Sequence, residues 1–169
     1  MAMLHFIYGL PGSGKTSLAL ALAARTPAVA LCEDDWVATL ASEPITNLAQ
    51  YLELSRKIRA IIGPLATRLL QLGTSVVLDF AGNTPTHRAW ARAIADAAAA
   101  AHLLHVLDVP VDECRRRVHD RNRTRPDGLY HGEVSDALFD AVLPFIVPPG
   151  PDEGLQVIAA APPARRGDG

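Results

Sequence analysis

Apolar residues along this chain fall into short runs separated by longer alanine- and leucine-rich stretches, a pattern that predicts strands and helices in alternation. Leu4–Tyr8 reads as a buried strand. The helix-favouring run that opens at Ser17 extends to about Arg25, where Thr26-Pro27 breaks it. A second strand is expected over Ala28–Cys32. A long helical region follows over Asn47–Leu72, with Pro64 as a kink or break and Gly73 in the usual C-terminal position. Ser75–Leu78 reads as the third strand. Asn83 or Thr84 can cap the next helix, which has Pro85 in its first turn and runs to about Ala101. Leu103–Leu107 is the fourth strand, and Asp112 is expected to cap a short helix through about Asn122. The stretch from Arg123 to Glu133 carries Pro126, Asp127, Gly128 and Gly132 and reads as a mobile loop. Ser135–Leu143 is another short helix, stopped by Pro144, and Leu155–Ala159 is a weak last strand.

Strands alternating with helices imply an α/β fold, a parallel sheet covered on both faces. The length suits one domain, expected over residues 1–160 with a lid at about 117–134. The tail 161–169 is rich in proline, glycine and arginine and is expected to be disordered. Ligands of such sheets bind at the carboxyl ends of the strands, so the polar residues that follow each strand are the ones to inspect.

The residues after the first strand carry the strongest signal. Gly9-Leu10-Pro11-Gly12-Ser13-Gly14-Lys15-Thr16, with Ser17 leading into the helix, has the spacing G-x-x-x-x-G-K-T of a Walker A loop in its required strand–loop–helix setting. Gly9, Gly12 and Gly14 permit conformations and close approaches that a Cβ would block. The loop amides and the helix N-terminus can then cradle phosphate oxygens. Lys15 would reach the β- and γ-phosphates, and the Thr16 hydroxyl would bind Mg²⁺. ATP and Mg²⁺ are the expected cofactors.

Three further features sit at strand ends. Glu33-Asp34-Asp35-Trp36 follows the second strand. It reads either as a solvated turn or helix cap, or as a carboxylate set beside the phosphates to take a proton from an attacking hydroxyl. Asp79 ends the third strand in the manner of a Walker B carboxylate that holds the Mg²⁺ shell; its alternative is a cap or turn residue. Arg115, Arg116, Arg117, Arg121, Arg123 and Arg125 form a cluster in which Arg117 and Arg121 share a helix face. They read either as a solvated face balanced by Asp112, Glu113 and Asp120, or as lid arginines that neutralise a transferring phosphoryl group and help exclude water. His87 and Arg88 lie near the same rim, and Arg88 either contacts substrate or pairs with a carboxylate. The remaining histidines, His5, His102, His105, His119 and His131, have no metal spacing and are expected to be structural or exposed.

Composition narrows the field. The net charge of −2 argues against a broad nucleic-acid surface without excluding a local patch. Cys32 and Cys114 form neither a metal spacing nor a C-x-x-C pair and read as buried, reduced thiols of a cytoplasmic protein. No signal peptide is expected, because the glycine loop begins almost at once. No apolar run reaches the ~20 residues that span a bilayer. Nothing in the chain marks an oligomer: there is no heptad seam and no partner motif.

Taken together these segments resemble the small P-loop kinases grouped with zeta toxins, chloramphenicol phosphotransferase and polynucleotide 5′-kinases. The resemblance covers about residues 3 to 158. It rests on the glycine loop, Glu33–Trp36, Val76–Asp79, Arg88, Leu107-Asp-Val-Pro110 and Arg116–Asn122. It implies a five-stranded parallel sheet in the order 2-3-1-4-5 and transfer of the γ-phosphate of ATP to a hydroxyl group. It implies Asp34 as general base, with Asp35 as fallback, and Arg117 and Arg121 as the lid arginines. Asp34, Asp35 and Arg88 would face the acceptor. Polynucleotide kinases carry an arginine shortly after the base, where this chain has Val37 and Ala38, so a small hydroxyl-bearing acceptor is expected. A 5′-kinase, a nucleoside kinase and a nucleotide-dependent switch are the rivals. The switch lacks a guanine-reading Asn-Lys-x-Asp sequence, and a ring-forming ATPase would need a helical lid domain that the chain is too short to carry.

Overall fold

The computed structural model describes residues 1–162; the disordered tail expected from the sequence lies, from residue 163 on, outside the described residues. Five parallel strands, β1 (Met3–Tyr8), β2 (Ala28–Cys32), β3 (Ser75–Ala81), β4 (Ala101–Leu107) and β5 (Val157–Ala160), lie in the order β2-β3-β1-β4-β5. This is the order the resemblance implied. Period-two alternation sends Leu4 and Phe6 of β1 to one face and Ile7 to the other.

On the first face α3 (Leu48–Gln71) and α4 (Pro85–Ala97) cover the sheet through Ile58, Ile62, Ile94 and Ala95. On the second, α1 (Lys15–Arg25) packs Leu18 and Ala19 against Ile7, Val77 and Leu107. Each such buried leucine, isoleucine or valine side chain contributes roughly 1.5–3 kcal/mol. A third cluster, Val109, Cys114, Val118 and Phe139, joins α5 (Val111–Thr124) to α6 (Asp136–Val142) with Leu10 packed against it, so α5 sits over the glycine loop.

The structure departs from the sequence reading at particular places. Glu33–Leu40 forms a short helix, α2, where no helix was expected. Three carboxylates in its first turn complement the positive end of its dipole. Pro64 does not break α3, which is continuous over 24 residues. The carbonyl that Pro64 cannot satisfy belongs to Ala60, which is exposed and open to water. β3 runs three residues beyond Leu78, so Asp79 is a strand residue rather than a turn. Thr84 caps α4, accepting from the His87 amide, and leaves Asn83 free for another partner. α4 ends at Ala97, not Ala101, through a turn in which Ala99 takes a positive φ of 49°. Pro110, not Asp112, precedes the first turn of α5, which extends to Thr124. Among the described residues no helix is long and apolar enough to cross a membrane.

Candidate active site

The glycine loop connects the carboxyl end of β1 to α1. Gly12 (φ 82°) and Gly14 (φ 101°) both adopt the left-handed region that disfavours a side chain. A Cβ on Gly12 would also run into the Cys114 carbonyl of α5. The turn is closed by the Ser13 amide donating to the Leu10 carbonyl (3.0 Å). Gly14 starts α1 without a side-chain cap, so the amides of the first helical turn, at Lys15, Thr16 and Ser17, have no partner within the helix. Lys15 Nζ folds back over the loop and donates to the carbonyls of Gly9 (2.9 Å) and Leu10 (3.0 Å). Burial lowers its pKa, and the nearby Asp79 and Asp34 carboxylates oppose that shift. Helix amides with no partner among the described residues, left-handed glycines and a desolvated ammonium together fit a phosphate chain.

Asp79 stands beside this loop, paired in register with Cys32 of β2. Burial raises its pKa; hydrogen bonding with Thr16, the charge of Lys15 and a hydrogen bond from Cys32 Sγ (3.3 Å) hold it back. Thr16 and Asp79 are hard oxygen donors side by side, a set that suits Mg²⁺.

The first turn of α2 separates the three carboxylates. Glu33 is buried and accepts hydrogen bonds from Ser55, from the Tyr51 phenol (3.2 Å) and from Arg59 (3.3 Å). Burial pushes its carboxyl up, opposed chiefly by Arg59. The Arg59 guanidinium lies 4.8 Å from the Trp90 ring centre and 5.2 Å from that of Phe80. Asp34 is close enough to Lys15, Asp79 and Arg121 for its charge to act on all three, and lies 3.5 Å from the Tyr51 phenol. Asp35 is exposed and meets His131 Nδ1 at 3.3 Å. Cys32, Asp35 and His131 bring donor atoms within 4.8 Å of one another, a grouping the sequence spacing did not reveal. Burial and the Asp79 carboxylate push the Cys32 thiol far up, which favours its protonated form.

The arginine cluster divides. Arg115 bonds Asp136 and Asp140, Arg116 bonds Glu113 and Asp120, Arg123 bonds Asp120, and Arg117 bonds Glu113 at 2.6 Å. This is the solvated, balanced face. Arg121 differs: its Nε is buried with no hydrogen-bond partner among the described residues, and burial lowers its pKa against the charge of Asp34. Of the two expected lid arginines, the structure brings Arg121 to the phosphate loop and leaves Arg117 in an ion pair. The segment 125–134 follows, and His131 ties it to α2.

Arg88 takes the second of its two readings. Its side chain is fully buried and makes a bidentate pair with Glu153 (2.6 and 2.7 Å), and it also donates to the carbonyls of Gly82 (3.0 Å) and Val147 (2.8 Å). Its donors are used inside the protein. Two site residues escaped the sequence reading. One is Tyr51; the i, i+4, i+8 spacing of Tyr51, Ser55 and Arg59 was the available signal. The other is Asn83, whose side chain meets the Gly9 amide and carbonyl, both at 2.9 Å.

A glycine loop of this form, at the carboxyl edge of a 2-3-1-4-5 parallel sheet, defines a P-loop nucleotide-binding domain. The chain belongs to the AAA domain family, whose family model matches residues 4–143. Among solved structures it is similar to a sugar kinase from Janibacter sp. HTCC2649, with 18% identity over 95% of this chain and 86% of that one and a TM-score of 0.65. It is similar to Chaetomium thermophilum Kti12 in complex with ADP-AlF3, with 18% identity, 92% and 88% coverage and a TM-score of 0.66. It is also similar to the Mycobacterium tuberculosis APS kinase CysC in complex with AMPPNP and APS, with 23% identity, 94% and 88% coverage and a TM-score of 0.56. At these identities the likeness is one of fold. No curated protein matches the chain in sequence.

Proposed function

We propose that this protein is a kinase that moves the γ-phosphate of ATP to a hydroxyl group of a small molecule. The observation that carries the reading is the clustering of Asp34, Asp79 and Arg121 around Lys15 of the glycine loop, close enough for their charges to act on it. Lys15 and the first amides of α1 hold the phosphates. Thr16 and Asp79 hold Mg²⁺, which supplies charge neutralisation on the phosphate oxygens. Asp34 accepts the proton of the acceptor hydroxyl. It is favoured over Asp35, whose carboxylate is engaged with His131. Arg121 neutralises the equatorial oxygens of the transferring group, and the segment around His131 closes the site against water. Arg88 supports the site from within and does not touch substrate. Positioning and charge stabilisation do the work, with little covalent chemistry left to the protein.

The sugar kinase and the APS kinase among the similar folds favour a small acceptor. So do the net charge and the ion-paired state of most α5 arginines, which leaves little free positive surface for a polynucleotide. The test is ATP consumption measured against panels of sugars, nucleosides, antibiotics, sugar nucleotides and 5′-hydroxyl oligonucleotides. One small-molecule class is expected to raise consumption, and Asp34→Asn is expected to retain ATP binding while abolishing transfer. Stimulation by oligonucleotides alone, or slow hydrolysis that no acceptor changes, would refute the reading.

A further inference from the structure

We propose that Asn83 is a positioning residue for the phosphate loop, one that frees Lys15 to move onto nucleotide. This rests on the nucleotide-binding reading above. β1 and β3 pair regularly from Leu4 to Phe6, then the register shifts, and Ile7 stands opposite Ala81. The ladder continues with the Gly82 amide donating to the Ile7 carbonyl (2.9 Å). Beyond that point no backbone hydrogen bond joins the two segments among the described residues. The Asn83 side-chain amide takes over: its oxygen accepts from the Gly9 amide and its nitrogen donates to the Gly9 carbonyl, both at 2.9 Å. A side chain thus stands in for the next residue of a strand and carries sheet hydrogen bonding one step into the glycine loop. Only one orientation of the amide satisfies both bonds, so the network fixes it.

Asn83 is itself held. Its carbonyl accepts from the Val147 amide (2.8 Å), and the neighbouring Gly82 carbonyl accepts from the buried Arg88 (3.0 Å), which Glu153 anchors. Asn83 and Gly9 are both buried.

The Gly9 carbonyl has two lone pairs and two donors, Asn83 Nδ2 and Lys15 Nζ. When the ammonium leaves for phosphate oxygens, Asn83 remains, and the buried carbonyl keeps a partner. Without Asn83 the same movement would strand that carbonyl. The nucleotide would then bind against the desolvation cost of an unpaired buried acceptor, a loss on the order of tenfold in affinity.

The coupling between the two side chains gives the test. Mg²⁺·ADP binding is measured by calorimetry on the full chain for wild type, Asn83→Ala, Lys15→Met and the double variant, with thermal melts alongside. Asn83→Ala is expected to bind ADP about tenfold more weakly in the wild-type background. Against Lys15→Met, where the ammonium never occupied the carbonyl, it is expected to cost less than about half of that factor on a logarithmic scale. Wild-type hydrogen exchange supplies a reading that needs no variant: the Gly9 amide should exchange slowly both free and with ADP. Asn83→Ser serves if Asn83→Ala does not fold. Equal ADP affinity in wild type and Asn83→Ala, equal losses in both Lys15 backgrounds, or a fast-exchanging Gly9 amide would overturn the proposal while leaving nucleotide binding intact. Failure of the wild-type chain to bind ADP would overturn both.

Discussion

Arg117 and Arg121 lie one helical turn apart on α5, yet their surroundings give them different chemistry. Arg117 has a carboxylate partner, Glu113, one turn behind it on the same helix. Arg121 has no partner for its Nε among the described residues, and burial already works against its charge. An arginine that stabilises a phosphoryl-transfer transition state is worth about 10³–10⁵ in rate. Arg121→Ala is therefore expected to lower turnover by at least about a hundredfold with the cognate acceptor, while Arg117→Ala changes it by less than about fivefold. Steady-state rates at saturating ATP check this, and the reverse order would assign the role to Arg117. The glycine loop was legible in the sequence because its eight residues carry their own geometry. The different surroundings of the two arginines were not read from the shared helix face, although the Glu113–Arg117 spacing of four already allowed that ion pair.

At the level of elements, the catalytic proposal depends on how α2 is fastened. The helix has eight residues and no side-chain cap, too little to stand alone. Its anchor is Glu33, turned inward onto Tyr51, Ser55 and Arg59 of α3. Arg59 is in turn wedged against Phe80 of β3 and Trp90 of α4. This ties four elements together and leaves Asp34, the next residue, close enough to Lys15 of the phosphate loop for its charge to act there. Removing one partner of a buried ion pair costs about 3–5 kcal/mol, because the other charge is left without compensation. Arg59→Met is expected to lower the unfolding free energy by that amount, and the denaturant midpoint measures it; Arg59→Lys, which keeps a positive charge beside Glu33, should cost less. Equal effects would mean that packing of the guanidinium on Phe80 and Trp90 dominates the anchor. None of this was readable locally. The run Glu33–Asp35 looks like a polar turn until α3, folding back from about twenty residues away, buries one of the three carboxylates.

Across the whole molecule, the sheet carries a pair of histidines in its middle. His5 of β1 and His105 of β4 are buried side by side, with Nδ1 and Nε2 3.0 Å apart, so one ring donates and the other accepts. Burial lowers both pKa values, that of His105 to about 4 from an ordinary 6.5; His87, also desolvated, falls to about 4. The folded chain therefore refuses protons that the unfolded chain accepts below pH 6.5. These groups make stability fall as pH drops from about 6.5 towards 4, with no further loss below that. Glu33 and Asp79 act in the opposite sense, since burial raises their pKa values and protonation relieves the cost of keeping them charged. The net slope of the wild type thus mixes two signs, but the difference between wild type and His105→Gln isolates the imidazole. Urea unfolding at pH 7, 5.5 and 4.5 is expected to give curves that converge as pH falls, with the variant losing less stability than the wild type. Glutamine can still bond His5 but has no proton to take up. Parallel losses would mean that the His5–His105 pair already binds a proton in the folded sheet, and that its burial is not the source of acid sensitivity.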